Sequence, residues 1–188
     1  MIKALVPNGN ICITFEDHAA RGLIKFANKY FAGMADGYLL GSQSVPHITI
    51  SHFHHDKPQP RALRRDLGNI VTAMEPLQLD KLKSRAGTKA HDGYIWMEFG
   101  VAPTPPLVDL KNKVDAILRS YDITILTPSA PDWHPHLTVC RIKKDTRPVA
   151  TDALKYNPDL DTTLFHLALG ASDENGQFQK TFWQRPLA

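Results

Sequence analysis

Short β-branched runs alternate along the chain with longer stretches whose apolar residues recur every three or four positions, so strands and amphipathic helices are both expected. Ile11 to Phe15 reads as a strand bounded by Asn8-Gly9-Asn10 and Glu16-Asp17. From Asp17, a suitable N-cap, to Met34 a helix is expected, with Leu23, Phe26, Ala27, Tyr30 and Phe31 on one face. The stretch holding Gly37, Gly41 and Ser42 reads as loop, and His47 to Phe53 as the next strand. A second helix is expected from Pro60 to Met74, ended by Pro76, with Arg61, Arg64, Arg65 and Asp66 on its wet side. Leu77 to Leu82 alternates as a strand should, Ser84 to Gly93 reads as a loop or wide hairpin, and Tyr94 to Val101 as another strand. Pro103 to Pro106 open a third helix, which runs to Ser120 with Leu107, Leu110, Val114, Ile117 and Leu118 on its buried stripe. A proline-stiffened loop, 128–135, then leads into a strand from His136 to Ile142, and a short helix is expected from Thr151 to Tyr156. Two closing strands, Leu164 to Leu169 and Phe178 to Trp183, are joined at Asp173-Glu174-Asn175-Gly176, a strong hairpin-turn signal.

Two of these strands carry the same five-residue pattern: Pro46-His47-Ile48-Thr49-Ile50 and Pro135-His136-Leu137-Thr138-Val139. Successive strand side chains alternate faces, so each segment presents an imidazole and a hydroxyl side by side while Ile48 or Leu137 points into a core. A helix begins about 30 residues before each histidine, which reads as an internal duplication. Two such lobes tend to pair about a pseudo-two-fold axis, which sets the motifs across a cleft from one another. With no linker between the halves, the chain is expected to form a single bilobal unit over 1–188.

Imidazole titrates near neutrality, so of His47 and His136 one can accept a proton while the other donates one. Threonine is stiff at χ1, so the hydroxyls of Thr49 and Thr138 are aimed in advance at the oxygens of a phosphate. The set suits an in-line reaction at phosphorus, and it requires no metal and no cofactor.

Composition narrows the picture only a little. The chain has 188 residues, 43% of them apolar, which is enough to bury a core. A net charge of +3 suits an anionic ligand and falls well short of a nucleic-acid-coating protein. Cys12 and Cys140 lie in apolar runs and read as buried free thiols of a reducing compartment. No long apolar leader opens the sequence and no run nears the ~20 apolar residues of a bilayer span, so a cytoplasmic protein without membrane attachment is expected.

The two motifs, His47-Ile48-Thr49-Ile50 and His136-Leu137-Thr138-Val139, resemble those of the 2H phosphoesterase superfamily, also called the 2′-5′ RNA ligase-like or cyclic phosphodiesterase family. The resemblance covers most of the chain. It implies an α+β fold of two antiparallel sheets flanking a central cleft, with helices outside. It also implies metal-independent opening of 2′,3′-cyclic phosphates on RNA ends or small cyclic nucleotides, with 2′-5′ ligation as the reverse reaction. In bacterial members a basic residue follows the second threonine by three positions, and Arg141 stands there as a candidate phosphate ligand. Strict alternation turns Arg141 away from His136, so that role needs a twist, a bulge or a long reach back. The first motif departs from the family by continuing Ser51-His52-Phe53.

Other readings are weaker. Trp133, Tyr94 and Trp96 are candidates to stack a base, with core packing as the plain alternative. Ser51 and Cys140 fall nominally on the motif faces, as candidates for the cleft floor. His52-Phe53-His54-His55-Asp56 invites a metal reading but matches no common ligand spacing, and a solvated turn explains it. Lys57, Arg61, Arg64 and Arg65 form a basic cluster that could steer RNA or simply face water. His18, His91 and His166 suggest no partner. A monomer is expected. The competing functions are a non-catalytic RNA-end-binding module, a phosphodiesterase for 2′,5′-oligoadenylate or another cyclic nucleotide, and a metal hydrolase.

Overall fold

A computed structural model describes residues 8–41, 44–54, 61–74, 77, 79, 82–91, 93–143 and 165–187. In chain order the elements are β1 (Asn8–Phe15), α1 (Asp17–Phe31), β2 (Ala35–Leu39), β3 (His47–Phe53), α2 (Arg61–Thr72), β4 (Lys83–His91), β5 (Tyr94–Gly100), α3 (Pro105–Ser120), a single 3-10 turn (Ala130–Asp132), β6 (His136–Lys143), β7 (Phe165–Ser172) and β8 (Phe178–Leu187). The strands form two four-stranded antiparallel sheets, ordered β3-β1-β7-β8 and β2-β6-β5-β4. This is the expected α+β arrangement of two sheets.

The lobes are not the sequence halves. The first sheet takes β1 and β3 from one half and β7 and β8 from the other, with α2 and α3 packed on it. The second takes β2, β4, β5 and β6, with α1 against β2 and β6. Each apolar stripe read from the sequence is buried: Leu23, Phe26, Ala27 and Phe31 on α1, Leu107, Leu110, Val114 and Leu118 on α3. One continuous core runs through both lobes, from Ile11 and Ile13 to Leu137, Val139 and Ile142.

Two strands lie where the spacing predicts a loop, at β2, and a loop or wide hairpin, at β4. Ala35–Leu39 and Lys83–His91 both pair, and both are edge strands of the second sheet. An edge strand has a neighbour on one side only, so it folds without the apolar alternation that marks an interior strand. In β2 the backbone turns at Gly37, whose φ of +76° favours glycine. Conversely, Leu77, Leu79 and Leu82 are buried in the core without belonging to a strand. The helix expected from Thr151 to Tyr156, and His55, Asp56 and Lys57, lie outside the described residues. Among the described residues no helix is long and apolar enough to cross a membrane.

Candidate active site

Both motif strands break register at the same point. In β3, Thr49 pairs with Cys12 and Ser51 with Ile11, which leaves Ile50 unpaired as a bulge. In β6, Thr138 pairs with Glu98 and Cys140 with Met97, which leaves Val139 unpaired. A bulge inserts one residue and resets which face the following side chains take. The third residue after each threonine, His52 or Arg141, therefore returns to the face of the motif histidine. Ser51 and Cys140, expected in the cleft floor, turn inward and are fully buried. The bulge that Arg141 needed is present, and its twin in β3 brings His52 into the site.

His47, Thr49, His136 and Thr138 all line one cleft of about 290 Å³. His52, the turn residues Asn175 to Gln177 and the 127–134 loop, with Thr127 and Trp133, complete the lining. That loop is stitched to the free edge of β3: the amides of His54 and Leu126 donate to the carbonyls of Thr124 and His52 at 3.0 and 2.7 Å.

The two imidazoles are held in the same way. Nδ1 of His47 lies 2.8 Å from the carbonyl oxygen of Val45, and Nδ1 of His136 lies 2.9 Å from that of His134. Proline at the intervening position explains the repeat, since it keeps the residue before it extended and fixes its own φ. With Nδ1–H donating to a carbonyl, Nε2 becomes the working nitrogen of each ring. His47 is buried, and burial pushes it down to about 4, against the pull of the Val45 and Gly176 carbonyls and with a contribution from nearby His136. Its Nε2 lies 3.2 Å from the Gly176 oxygen, to which the ring can donate only when it takes a proton. His136 is more open, with 37% of its side chain exposed and Nε2 3.7 Å from the carboxylate of Glu98.

Asn10 joins the first motif to the β7–β8 turn. Its amide donates to Thr49 Oγ1 at 3.1 Å and to the Gly176 carbonyl at 2.8 Å. Because Thr49 Oγ1 accepts from Asn10, its own O–H is left to donate into the cleft. The turn is built by Asp173, whose Oδ1 accepts from the amides of Asn175 and Gln177 at 2.9 Å each, and by Gly176 with φ of +80°. A turn legible in the sequence thus supplies a carbonyl to the site. His52 is buried beside it; burial lowers its pKa, and the Asp173 charge and carbonyl work in the opposite direction. Its Nε2 has no hydrogen-bond partner among the described residues, nor does Gln177 Oε1.

Trp133 forms part of the cleft wall but is 4% exposed, with Nε1 donating to the carbonyl of Thr49 at 3.2 Å. It braces the motif strand more than it offers a free face. Behind it lies a buried polar cluster that the sequence did not suggest. Lys111 Nζ contacts both carboxylate oxygens of Asp115 at 2.7 Å and Thr127 Oγ1 at 3.3 Å, and Ser51 Oγ donates to Asp115. The Lys111 ammonium also lies 6.0 Å from the centre of the Trp133 ring. Burial lowers the pKa of Lys111, and Asp115 opposes that shift.

Arg141 reaches the cleft face but not the cleft lining. Its guanidinium carbon lies 4.4 Å from the Tyr94 ring centre and 5.9 Å from that of Trp96, and Nε donates to the Asp36 carbonyl at 2.7 Å. Tyr94 and Trp96, candidates to stack a base, both lie against this arginine. At position 37 a Cβ would meet the tip of this guanidinium, and the positive φ there favours glycine in any case. Among the described residues, no group of three or more His, Cys, Asp or Glu could hold a metal ion. Cys12 and Cys140 are free and buried, with burial raising both thiols, Cys140 to about 12.

Comparison with known proteins agrees with this architecture. Escherichia coli LigT in complex with 3′-AMP superposes with a TM-score of 0.59 at 14% identity, over 97% of this chain and 98% of that one. A structure described as a phosphoesterase gives the same figures, and LigT in complex with NADP+ gives 0.57 at 16% identity over 96% and 98%. No curated protein sequence matches the chain. The family model of the 2′-5′ RNA ligase superfamily matches residues 26–176, a span that holds both His-x-Thr motifs and the turn at Gly176. The chain belongs to the 2′-5′ RNA ligase superfamily.

Proposed function

We propose that the protein is a phosphodiesterase that opens 2′,3′-cyclic phosphates on RNA ends or nucleotides without a metal. One observation carries the reading: two repeated Pro-His-x-Thr strands place both imidazoles and both hydroxyls in a single cleft. Binding alone has no need of two titrating rings. The complex of LigT with 3′-AMP, a nucleotide bound by a protein of the same fold, supports a nucleotide substrate.

In this reading His47 is the general base. Buried and neutral at pH 7, it offers the Nε2 lone pair to a water molecule. As water oxygen attacks phosphorus, its proton passes to Nε2, and the new imidazolium finds the Gly176 carbonyl 3.2 Å away. His136, paired with Glu98 when protonated, is the general acid. It gives its proton to O3′ as the P–O3′ bond breaks, which leaves a 2′-phosphate and a free 3′-hydroxyl. Thr49 and Thr138 donate to the non-bridging oxygens while charge builds there. With an RNA 5′-hydroxyl as the nucleophile in place of water, the same groups form the 5′-O–P bond as P–O3′ breaks, which leaves a 2′-5′ linkage. Each proton and charge is handled by the chain's own residues.

The test is hydrolysis of a 2′,3′-cyclic mononucleotide in excess EDTA, followed by product analysis. The wild type should keep its rate, while His47→Ala and His136→Ala should each lose about 10²–10⁴-fold. Full activity in either variant, or loss of wild-type activity to the chelator, overturns the reading. Tight binding of a cyclic-phosphate oligonucleotide without turnover would instead establish a non-catalytic module.

A further inference from the structure

A second groove lies on the other side of the first sheet from the catalytic cleft. Its residues are Arg64, Arg65, Gly68, Asn69 and Thr72 of α2 with Trp183 and Arg185 of β8, around a volume of about 360 Å³. Their spacing explains the groove. Arg64, Gly68 and Thr72 follow one another at four-residue steps along a single stripe of α2, with Arg65 and Asn69 beside them. Trp183 and Arg185 are two apart on β8 and share a face. That face is the helix-covered one, because Trp183 pairs with Leu169 and Arg185 with Leu167, both buried in the core. The motif residues project from the opposite face, beside Asn10.

Gly68 is the informative position. Glycine inside a helix costs roughly 0.5–1 kcal/mol relative to alanine, yet packing does not demand it here. A Cβ at this point would meet only Trp183, at an ordinary 3.9 Å. What the missing side chain does is leave the indole uncovered from the α2 side. The half-exposed ring shares the groove with Arg64, Arg65, Arg185, Asn69 and Thr72, whose hydroxyl donates to the Gly68 carbonyl at 3.0 Å. No acidic side chain lines the groove among the described residues, although Asp66 pairs with Arg65 from outside it at 3.0 Å. An aromatic floor between cationic walls suits a nucleotide of a single strand, with the base on the ring and the phosphates on the arginines.

We infer that this α2–β8 groove is a second RNA-binding site, which holds a nucleotide of a single-stranded RNA by stacking on Trp183 and phosphate contacts to Arg64 and Arg185. Strand β8 links the two sites. Phe178 at its start lies 5.8 Å, ring centre to ring centre, from His47, and Trp183 follows about 17 Å further along at roughly 3.3 Å per residue. A mononucleotide occupies the cleft alone, and a strand several nucleotides long can engage the groove as well. Binding here needs no turnover, so the inference stands or falls separately from the catalytic reading.

The experiment is fluorescence anisotropy with a labelled single-stranded RNA ten-mer ending in a 3′-phosphate. Two variants are compared with the wild type: Arg64→Glu with Arg185→Glu, and Gly68→Met. The arginine pair is exposed and Gly68→Met favours the helix, so each should melt near the wild type. The arginine variant should weaken binding at least tenfold and make the salt slope shallower by about 0.7 for each phosphate that is no longer neutralised. Gly68→Met, which covers the ring without changing charge, should weaken it roughly fivefold or more. Unchanged affinity in both groove variants overturns the inference. So does weakening in the arginine variant alone, which would reduce the groove to a diffuse basic patch. Equal competition by polyglutamate or by anionic vesicles at matched charge also overturns it, since neither has a base to stack.

Discussion

His52 and Arg141 occupy equivalent places in the two repeats: each follows its motif threonine by three residues, and each is turned to the face of its motif histidine by a one-residue bulge, at Ile50 and Val139 respectively. The two then diverge. Arg141 is stacked against Tyr94 and Trp96 at the rim, whereas His52 lines the cleft with a buried Nε2 that has no partner among the described residues. A buried polar atom without a partner costs about 1–3 kcal/mol, and a cleft is where a ligand can supply one.

His52→Phe removes that atom and keeps a ring of similar size. The change also gives up the interaction with Asp173, so net stability should shift by no more than about 1 kcal/mol in a urea melt. Turnover of a cyclic nucleotide should nevertheless suffer, chiefly through KM. Unaltered KM in a stably folded variant would mean that His52 does not touch the substrate.

Asn10 governs the direction of the Thr49 hydroxyl from the adjacent strand. Asn10→Leu leaves the threonine free to turn its proton away from the cleft and strips the Gly176 carbonyl of a donor. We expect kcat/KM to fall by about tenfold, the effect of one charge-assisted hydrogen bond at roughly 1.5 kcal/mol. Thr49→Val in the same background should then add little. Additive losses in the double variant would show that the two residues act apart.

Acid should destabilise the fold through His47. Its folded pKa, about 4, lies below the ordinary 6.5 of an unfolded chain. Above pH 6.5 both states are neutral there and the contribution is complete. As pH falls from 6.5 towards 4 the unfolded chain gains a proton that the folded one refuses, which costs about 3 kcal/mol in all. Urea midpoints at pH 7 and pH 4.5 should therefore diverge more in the wild type than in His47→Gln. An equal pH dependence would place the ring's titration at its ordinary value.

The Lys111–Asp115 pair, fully buried behind Trp133 and Thr127, makes a contrasting prediction about stability. Lys111→Met leaves the buried Asp115 carboxylate with only the Ser51 hydroxyl and the exposed Arg119 guanidinium, 3.7 Å away, which should cost about 3 kcal/mol. Lys111→Met with Asp115→Leu removes both charges and should recover most of that loss in thermal melts. No recovery would mean that the cluster holds the 121–135 loop by hydrogen bonds that apolar packing does not replace.

Much of the fold was legible because it rests on local period. The apolar stripes of α1 and α3, the His-x-Thr alternation and the Asp173–Gly176 turn each depend on neighbours in sequence, and each appears where that spacing placed it. The edge strands β2 and β4 were not legible. Their pairing on one side alone imposes no apolar pattern, so the stretch around Gly37 reads as loop and the polar run of β4 as a loop or wide hairpin.

The sequence by itself determined which side chains repeat: two imidazoles and two hydroxyls, each pair held in a fixed relation by proline and a strand. Tertiary structure decided what surrounds them. Asn10 reaches Thr49 across 39 positions and Gly176 reaches His47 across 129, contacts that no local spacing encodes. The bulges that admit His52 and Arg141 to the cleft face are set by the ladders with β1 and β5, because a strand's register belongs to the pair of strands and not to either one.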